Sequence, residues 1–334
     1  MKFLVIGLGS MGKRRIRNLQ YLKYEEIIGY DIRSDRREEV ENKYKIETID
    51  NIDYLKEFNF TALIISVPPD KHHLYMHIAV KNKIPCFVEA SVVDYDLDKL
   101  IDLSKSNSVF IAPSSTMCFH PAIKQINKII KDKVIGVPTN ITYHSGQYLP
   151  DWHIYENVKD FYVSNKETGG AREIVPFELT WITQIFGYPD AVIGIVNKTI
   201  EIKGAELIDD TYVSILEYKS FTLTLIVDVT SRIATRKLLI NGSEGQVTWD
   251  WNNSFIDVYT SKKGSYKIDF QMLEAENGYN KNITEQMYID EISCFIDSIN
   301  NNNNYINSLI QDHKVLKILY SIEESSNTNK KVVI

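Results

Sequence analysis

The sequence predicts an α/β protein with an N-terminal doubly wound parallel sheet and a C-terminal α+β domain whose open-faced sheet is mainly antiparallel. Two observations predict this class. Short apolar runs alternate with helix-period segments through the first third of the chain, which is typical of parallel strands with crossover helices. After Gly136, strand-like segments alternate apolar and polar residues, which indicates one face in water. We expect domains at residues 1–118 and 119–334, with the C-terminal helices able to pack back on the first.

The first strand leads into a glycine motif. The apolar run Phe3–Ile6 is followed by Gly7-Leu8-Gly9-Ser10-Met11-Gly12, which is G-x-G-x-x-G, and then by helix-period sequence. In a Rossmann unit the first glycine allows a tight turn, the second lets the backbone approach a pyrophosphate, and the third lets the helix pack closely. The N–H groups of the helix start then face the phosphates. We expect the cofactor to contact Gly7, Gly9, Ser10, Met11 and Gly12.

The second strand ends in the residue that selects the cofactor. Asp31 follows Ile27–Tyr30 and lies nineteen residues beyond Gly12, where the motif places an acid for the ribose 2′-hydroxyl. A carboxylate would repel a 2′-phosphate, so the sequence favours NAD over NADP. Arg33 and Arg36 lie close by and temper this preference. Arg33 is also expected beside the cofactor.

Alternation continues to the end of the first domain. Helices are expected at about 35–44 and 97–104, and strands near 46 and at 61–66, 86–89 and 109–112. Ligands bind at the carboxyl ends of such strands. Ser66, Pro68, His72 and Glu89 are therefore candidate cofactor contacts. The spacing of His72, His73 and His77 also suits metal ligands, but no acid or thiol lies beside them, and we predict no metal.

The second domain is expected to contain a helix, then the strands of a sheet, then two closing helices. A helix is expected from Pro121 towards Lys131, and closing helices at about 285–299 and 308–321. Strands are expected at 193–196, 211–217, 222–229, 238–241, 246–251 and 256–260. An open-faced sheet with one apolar face must cover it. We expect a homodimer or homotetramer formed through the sheet of residues 190–260.

Bulk composition narrows the class of partner. The 334 residues carry a net charge of −6, which gives no electrostatic case for nucleic acid. No apolar run approaches the ~20 residues of a membrane span, and the N-terminus does not resemble a signal peptide. The three cysteines are widely separated in apolar contexts, as expected of buried thiols in a reducing compartment. We expect a cytoplasmic protein that acts on a small molecule.

Together these residues resemble the Gfo/Idh/MocA oxidoreductases over nearly the whole chain. The matching motifs are Gly7–Gly12, Pro68-Pro69 with His72, Glu89, Phe119-His120-Pro121, Gly146–His153, Lys166–Gly170 and Phe186-Gly187. The resemblance implies a Rossmann domain, an open-faced sheet domain, and NAD-dependent chemistry on a sugar hydroxyl or keto group. The Gly146–His153 run looks like a subgroup associated with bacterial sialic- or legionaminic-type sugars. This implies a nucleotide-linked or acidic, nonulosonate-type sugar of surface glycan synthesis.

The chain departs from the family where its chemistry lies. Family members usually carry Glu-Lys-Pro after the fifth strand, whereas this chain has Glu89-Ala90-Ser91. The family's acid, histidine and second acid fall on Glu173, Phe177 and Thr180. Their spacing would place them on one stripe of a helix. Because proline is tolerated only in a first helical turn, Pro176 makes us expect the helix to start at about Val175, with Glu173 just ahead of it.

Several residues remain candidates to take the substrate proton. Glu173 is the first choice, because it matches a family site position and its neighbour Arg172 should lower its pKa; a structural ion pair is the equal alternative. His153 titrates near neutral pH, although a hydrogen-bonding role fits it as well. Glu89 is a further catalytic candidate, but it fits better an orienting role towards the backbone or nicotinamide ribose. Glu178, Tyr143 and Tyr148 complete the set.

The candidate substrate contacts are aromatic and basic. Arg232 and Arg236 would suit a carboxylate or phosphate, although solvated surface arginines are the plainer interpretation. The expected contacts are Tyr148, Trp152, His153, Arg172, Phe177 and Arg232. Two other functions remain open: an epimerase that returns the hydride to the opposite face, and a catalytically silent NAD-binding partner subunit.

Overall fold

The computed structural model describes residues 1–152, 157–272, 284–301 and 304–334. Two compact units divide the chain. The first consists of Met1–Thr116 with Tyr288–His313, and the second of Met117–Met287 with Lys314–Ile334. The first unit therefore ends close to the boundary expected at residue 118 and also takes in a C-terminal segment.

A six-stranded parallel sheet forms the first unit. Its strands are β1 (Phe3–Ile6), β2 (Ile27–Tyr30), β3 (Glu47–Ile49), β4 (Ala62–Ile65), β5 (Cys86–Val88) and β6 (Ile111–Pro113). Their order in the sheet is β3-β2-β1-β4-β5-β6. The helices are α1 (Ser10–Tyr21), α2 (Ser34–Tyr44), α3 (His72–Lys81) and α4 (Leu97–Ser106). Strands β1, β2 and β4 are buried along their whole length, as expected of a parallel sheet covered on both faces. The predicted Rossmann architecture is confirmed.

The second unit contains a mixed sheet. Its strands are β7 (Pro138–Tyr148), β8 (Ala191–Asn197), β9 (Thr211–Glu217), β10 (Thr222–Asp228), β11 (Thr230–Gly242), β12 (Gly245–Asp250), β13 (Phe255–Thr260), β14 (Gly264–Asp269) and β15 (Val332–Val333). The described order is β14-β13-β12-β11-β7-β10-β9-β8-β15, in which only β7 and β10 run parallel. Helices α5 (Pro121–Lys131), α6 (Ala171–Phe186), α7 (Glu285–Asn301) and α8 (Leu309–Thr328) complete the described elements. The predicted mainly antiparallel sheet is confirmed.

One face of this sheet packs against α6 and the other is open. Tyr143, Leu225 and Leu216 are buried on the covered face, whereas Ile193, Ile195 and Ile215 on the opposite face are each more than a third exposed.

Three details predicted from the sequence were wrong. Strand β11 begins at residue 230 rather than 238, because an irregularity between Thr230 and Thr235 lets pairing with β7 resume. Strand β14 was not expected, and Cys294 is only partly buried.

Helix α6 begins earlier than Pro176 suggested. Gly170, with φ of +64°, turns the chain into the helix, and the N–H of Ala171 donates to the carbonyl of Asp209 at 3.1 Å. This anchor sets the start at Ala171, so Pro176 lies inside the helix. The expected start at Val175 was therefore wrong. Glu173 belongs to the helix and shares a stripe with Phe177 and Thr180.

Candidate functional site

The glycine loop between β1 and α1 leaves room for a phosphate. A Cβ on Gly7 would lie 2.7 Å from the carbonyl oxygen of Ser66, and one on Gly12 would lie 1.8 Å from the carbonyl oxygen of Gly7. The fold itself therefore requires these two glycines. A Cβ on Gly9 would meet nothing nearer than Nη1 of Arg36, at 3.6 Å. No side chain of the described residues caps α1, whose first residues are Ser10 and Met11, so the loop has the shape and polarity that suit a pyrophosphate.

Asp31 is held in place at the end of β2. Its carboxylate accepts from the N–H of Leu8 at 2.8 Å and from the N–H of Arg33 at 3.0 Å. Nη1 of Arg36 lies 3.7 Å from the same carboxylate. The side chain of Arg33 instead pairs with Asp35. Arg36, rather than the predicted Arg33, is thus the arginine side chain placed between Asp31 and the glycine loop.

Glu89, at the end of β5, belongs to a buried ion network. Arg15 donates to both of its carboxylate oxygens, from Nε at 2.7 Å and from Nη2 at 2.8 Å, and Ser66 Oγ adds a bond of 3.1 Å. Nη2 of the wholly buried Arg15 also reaches Glu291 at 2.9 Å. Burial alone would lower the pKa of Arg15, but the two carboxylates raise it above its usual value. A carboxylate clamped in this way suits an orienting role better than proton transfer.

His72 follows the proline loop and is uncharged. Pro68 precedes a short turn, Pro69–Lys71, that leads into α3. Nε2 of His72 donates to the carbonyl of Val67 at 3.0 Å, and burial lowers its pKa to about 4. His77 bonds to Asp96 at 3.0 Å. No group of His, Cys, Asp or Glu within the described ranges is arranged to hold a metal ion.

In the second unit, backbone hydrogen bonds bring the ends of several strands and one helix together at one edge of the sheet. The carbonyl of Asp209 accepts from the start of α6, and the carbonyl of Asp210 accepts from the N–H of Val229 at 2.9 Å. The carbonyl of Val229 accepts in turn from the N–H of Leu149 at 3.1 Å. The start of α6, the start of β9 and the ends of β7 and β10 therefore meet. We call this edge the substrate edge, because the predicted substrate contacts Tyr148, Arg172 and Phe177 lie on the elements that meet here.

Glu173 lies in the first turn of α6, which starts at this edge, and one of its two carboxylate oxygens has no partner among the described residues. The hydroxyl of Tyr162 donates to Oε1, while Oε2 is shielded from solvent and has no donor among the described residues. Burial raises the pKa of Glu173 to about 7, and the bond from Tyr162 offsets this only in part. The expectation that Arg172 lowers this pKa was wrong, because Nε of Arg172 pairs with Glu323 at 2.6 Å.

The glycines before α6 place Tyr162 against Glu173. The N–H of Gly170 donates to the carbonyl of Val163 at 3.0 Å, and the hydroxyl of Thr168 donates to the carbonyl of Tyr162 at 3.1 Å. A Cβ on Gly169 would lie 1.9 Å from the same Val163 carbonyl. A side chain at Gly169 would therefore push the loop outward. The Gly-Gly pair in the sequence is required for this tight return.

Glu178 and Tyr143 are structural. The fully buried Glu178 carboxylate accepts four bonds of 2.8–2.9 Å, whose donors are Tyr143 OH, Ser145 Oγ, Trp181 Nε1 and Arg236 Nε. A buried charge satisfied by so many donors is a packing feature of the covered face. Arg236 is only 8% exposed, so it is neither a solvated arginine nor free to clamp an anion, and both interpretations of it were wrong.

Aromatic and basic side chains line the substrate edge around Tyr148. The guanidinium of the exposed Arg232 lies 3.6 Å from the ring centroid of Tyr148. Nε1 of Trp152 is shielded from water and has no acceptor among the described residues. Phe177 is partly exposed, 5.9 Å from the guanidinium of Arg236. His153 lies outside the described residues.

Sequence reasoning missed two contacts in this unit. Tyr162 had no motif to mark it, since its partner lies on a different element. The second is the bond of 2.6 Å between His144 Nε2 and Asp228 Oδ2. Burial would raise the pKa of Asp228, but the bonds from His144 and Ser231 hold it at about 2. Gly146 is the trace that this contact leaves in the sequence. A Cβ there would lie 2.7 Å from Asp228 Oδ2, so a larger residue would crowd the aspartate.

Comparison with known proteins identifies the first unit. Residues 1–113 match the model of the Gfo/Idh/MocA oxidoreductase family, described by its NAD-binding Rossmann fold. Residues 1–113 are therefore similar to the NAD-binding Rossmann domain of that family. The resemblance in the sequence is thereby confirmed for this domain, and so is NAD as its cofactor. A comparison with curated protein sequences gives no match.

Solved structures extend the likeness to the whole chain. An oxidoreductase from Agrobacterium radiobacter in complex with NAD⁺, L-tartaric acid and magnesium has a TM-score of 0.86 at 13% identity, over 100% of this chain and 98% of that one. Levoglucosan dehydrogenase in complex with NADH has a TM-score of 0.85 at 13% identity, over 100% of this chain and 99% of that one. A myo-inositol 2-dehydrogenase from Lactobacillus plantarum has a TM-score of 0.82 at 18% identity, over 100% of this chain and 99% of that one. These identities show a shared fold. No described helix is long and apolar enough to cross a membrane.

Proposed function

We propose that this protein is an NAD-dependent dehydrogenase that interconverts a hydroxyl and a keto group on a sugar. The family assignment supports the oxidoreductase class, and two structural neighbours are named as myo-inositol and levoglucosan dehydrogenases. The observation that carries the proposal is Glu173, in the first turn of α6: one of its carboxylate oxygens is shielded from solvent and has no partner among the described residues, and its pKa is about 7. A general base works best when its pKa lies near the working pH.

We assign cofactor binding to residues of the first unit and proton transfer to a residue of the second. The glycine loop and Asp31 would hold the cofactor, with Glu89 orienting its ribose. NAD, when bound, supplies the acceptor for the hydride that leaves the substrate carbon. Glu173 Oε2 takes the hydroxyl proton as the carbonyl forms, and returns it in the reverse direction. Phe177 lies beside Glu173 on the stripe and would keep water from this carboxylate.

The proposed substrate carries an anionic group, as a nucleotide-linked or nonulosonate-type sugar does. Arg232 supports this, because stacking on Tyr148 fixes the plane of its guanidinium while its side chain stays exposed. A planar fork of N–H donors matches a carboxylate or phosphate. Synthesis of a bacterial surface glycan is one setting that would use such a sugar.

The test is NADH formation, followed at 340 nm, with myo-inositol, levoglucosan and D-glucuronate as probes. We expect turnover with at least one sugar, and Arg232→Met to raise KM for D-glucuronate more than for the neutral probes. The conservative Lys237→Met, at an exposed position on β11, is the matched control. Equal KM changes for charged and neutral sugars would refute the anionic substrate. Tight NAD binding without turnover on any hydroxyl-bearing sugar would refute the dehydrogenase.

One observation favours a second candidate, a catalytically silent NAD-binding partner subunit. Ala90 and Phe177 stand where the family's proton-handling lysine and histidine are expected, and neither side chain transfers a proton. Co-purification with an active homologous enzyme, together with no turnover of its own, would support this alternative. The retained Glu173, with its raised pKa, argues for the enzyme.

We also propose that the open face of the C-terminal sheet pairs with a second copy. Ile195, Val213 and Ile226 lie side by side across β8, β9 and β10, and an exposed apolar patch of this kind marks an interaction surface. Light scattering at micromolar concentration should give a dimer or tetramer, and Ile195→Lys should shift it towards monomer. A wild-type monomer would contradict the proposal.

A further inference from the structure

Glu173 has a partner that no family motif predicts. This inference rests on the proposed function, in which Glu173 takes the substrate proton. Tyr162 OH donates to Oε1 and is the one donor to this carboxylate in the described part of the chain. Oε2 is left shielded and without a donor in the described part of the chain. The two oxygens are therefore unequal: Oε1 accepts from the phenol, and Oε2 has no donor among the described residues.

Other charged and titratable groups around the start of α6 are already engaged elsewhere. Arg172 and Tyr212 of β9 bond to Glu323 of α8. Glu178 is neutralised by Arg236 of β11 and bonded by Tyr143 of β7. Asp228 of β10 is bonded by His144 and Ser231. His120, which caps the start of α5, is kept neutral by burial, which lowers its pKa to about 3. None of these donates a hydrogen bond to Glu173 among the described residues.

We propose that Tyr162 is the positioning residue of the proton-transfer site, and that its hydroxyl holds Glu173 so that Oε2 exchanges the substrate proton. In the oxidation direction the substrate O–H bond breaks and its proton moves to Oε2, while the hydrogen on carbon leaves with its electron pair to the bound nicotinamide. Tyr162 keeps its own proton throughout. The Tyr162–Glu173 pair thus fulfils the task for which the family resemblance implies a histidine.

The loop geometry explains why this pairing is durable. Thr168 Oγ1 and the N–H of Gly170 bond to the carbonyls of Tyr162 and Val163, and only glycine at 169 lets Val163 approach so closely. Tyr162 is therefore tied from the backbone side as well as through its hydroxyl. A hydrogen bond to the charged form of a carboxylate favours that form. Tyr162 therefore tunes how readily Glu173 accepts a proton.

The first experiment is a carboxyl ¹³C NMR titration of glutamate-labelled full-length protein, with and without NAD. The signal lost in Glu173→Gln identifies the residue. We expect it to titrate near pH 7 in the wild type and at higher pH in Tyr162→Phe, because the hydrogen bond from Tyr162, which stabilises the charged form, is gone. Tyr266→Phe on β14 is the matched control and should leave it unchanged. No shift in Tyr162→Phe would overturn the proposal.

A second variant guards against a misfolded loop. 3-Fluorotyrosine at position 162 keeps the shape of the side chain but is a stronger donor, so the Glu173 titration should move to lower pH. Opposite shifts from phenylalanine and fluorotyrosine are expected only if the hydroxyl itself sets the proton affinity. Shifts in the same direction, or none with fluorotyrosine, would contradict the positioning role.

The activity arm separates this inference from the proposed function. With whichever probe sugar turns over, the acid limb of kcat/KM for oxidation should move to higher pH in Tyr162→Phe, with most activity regained on the alkaline side. If Glu173→Gln is inactive while this limb stays in place, Tyr162 has no positioning role but Glu173 remains the base. If Glu173→Gln is as active as the wild type, the proposed base itself is wrong.

Discussion

The cofactor loop is formed by backbone atoms, whereas the substrate edge is lined by side chains. The cofactor loop is made of backbone, since Gly7 and Gly12 have no space for a side chain and Gly9 leaves its space open. The substrate edge depends on side chains from distant elements, as in the pairing of Tyr162 with Glu173. Backbone geometry is encoded in a short motif, whereas side-chain pairing depends on tertiary structure. A chain can therefore keep the first while changing the second.

The largest effect should come from filling space in the loop. In Gly12→Ala the new Cβ meets the carbonyl oxygen of Gly7, so we expect a loss of more than about 4 kcal/mol in the free energy of unfolding. Gly9→Ala should leave that free energy nearly unchanged but weaken NAD binding, because only the ligand needs the space. Urea unfolding and NAD titration separate the two. Equal stability losses in both variants would contradict the distinction.

A smaller loss is expected where the first unit relies on buried charge. Arg15→Met leaves Glu89 and Glu291 without their shared cation, and removing one partner of a buried ion pair costs about 3–5 kcal/mol. The exposed Arg232→Met should change the free energy of unfolding by no more than about 0.5 kcal/mol. Urea unfolding at pH 7 measures both. Similar values for the two would show that the Arg15 network contributes no special stability.

The smallest effect is a gain of stability at the proposed base. Folding raises the pKa of Glu173 from 4.5 to about 7, so its contribution to stability is greatest below pH 4.5 and is lost as the pH rises through 7. Glutamine does not ionise, so Glu173→Gln does not lose stability as the pH rises through 7. We expect the variant to be more stable than the wild type by roughly 3 kcal/mol at pH 8, and equally stable at pH 4. A variant less stable at pH 8 would show that the carboxylate is needed by the fold.

The sequence predicted the parts of the molecule that depend on local spacing. The G-x-G-x-x-G run and Asp31 lie next to each other in the structure because a strand, a turn and a helix link them directly. The strand pattern of the second unit was likewise readable from alternation, although the irregularity in β11 was not. Pro176 misled the prediction of α6, since the anchor at Asp209 lies on another element.

The proton-handling residues were only partly predictable. Glu173 was selected by its place in the family pattern, but its pKa was expected to fall, because Arg172 is its neighbour in sequence. In the structure Arg172 turns to Glu323, more than 100 residues away. Tyr162, eleven residues before Glu173, is placed by a glycine-dependent loop whose path no periodicity reveals. Charge pairing over such distances follows from tertiary packing.

The most direct test of this account is the rate of NADH formation by the wild type and by Glu173→Gln, measured across pH 5–9 with the best probe sugar. The account predicts a wild-type kcat/KM that rises through a single controlling group near pH 7. It also predicts a fall of about 10²–10⁴-fold in Glu173→Gln, the usual contribution of a positioned base, with NAD affinity unchanged. A variant that keeps the wild-type rate and pH profile would contradict it.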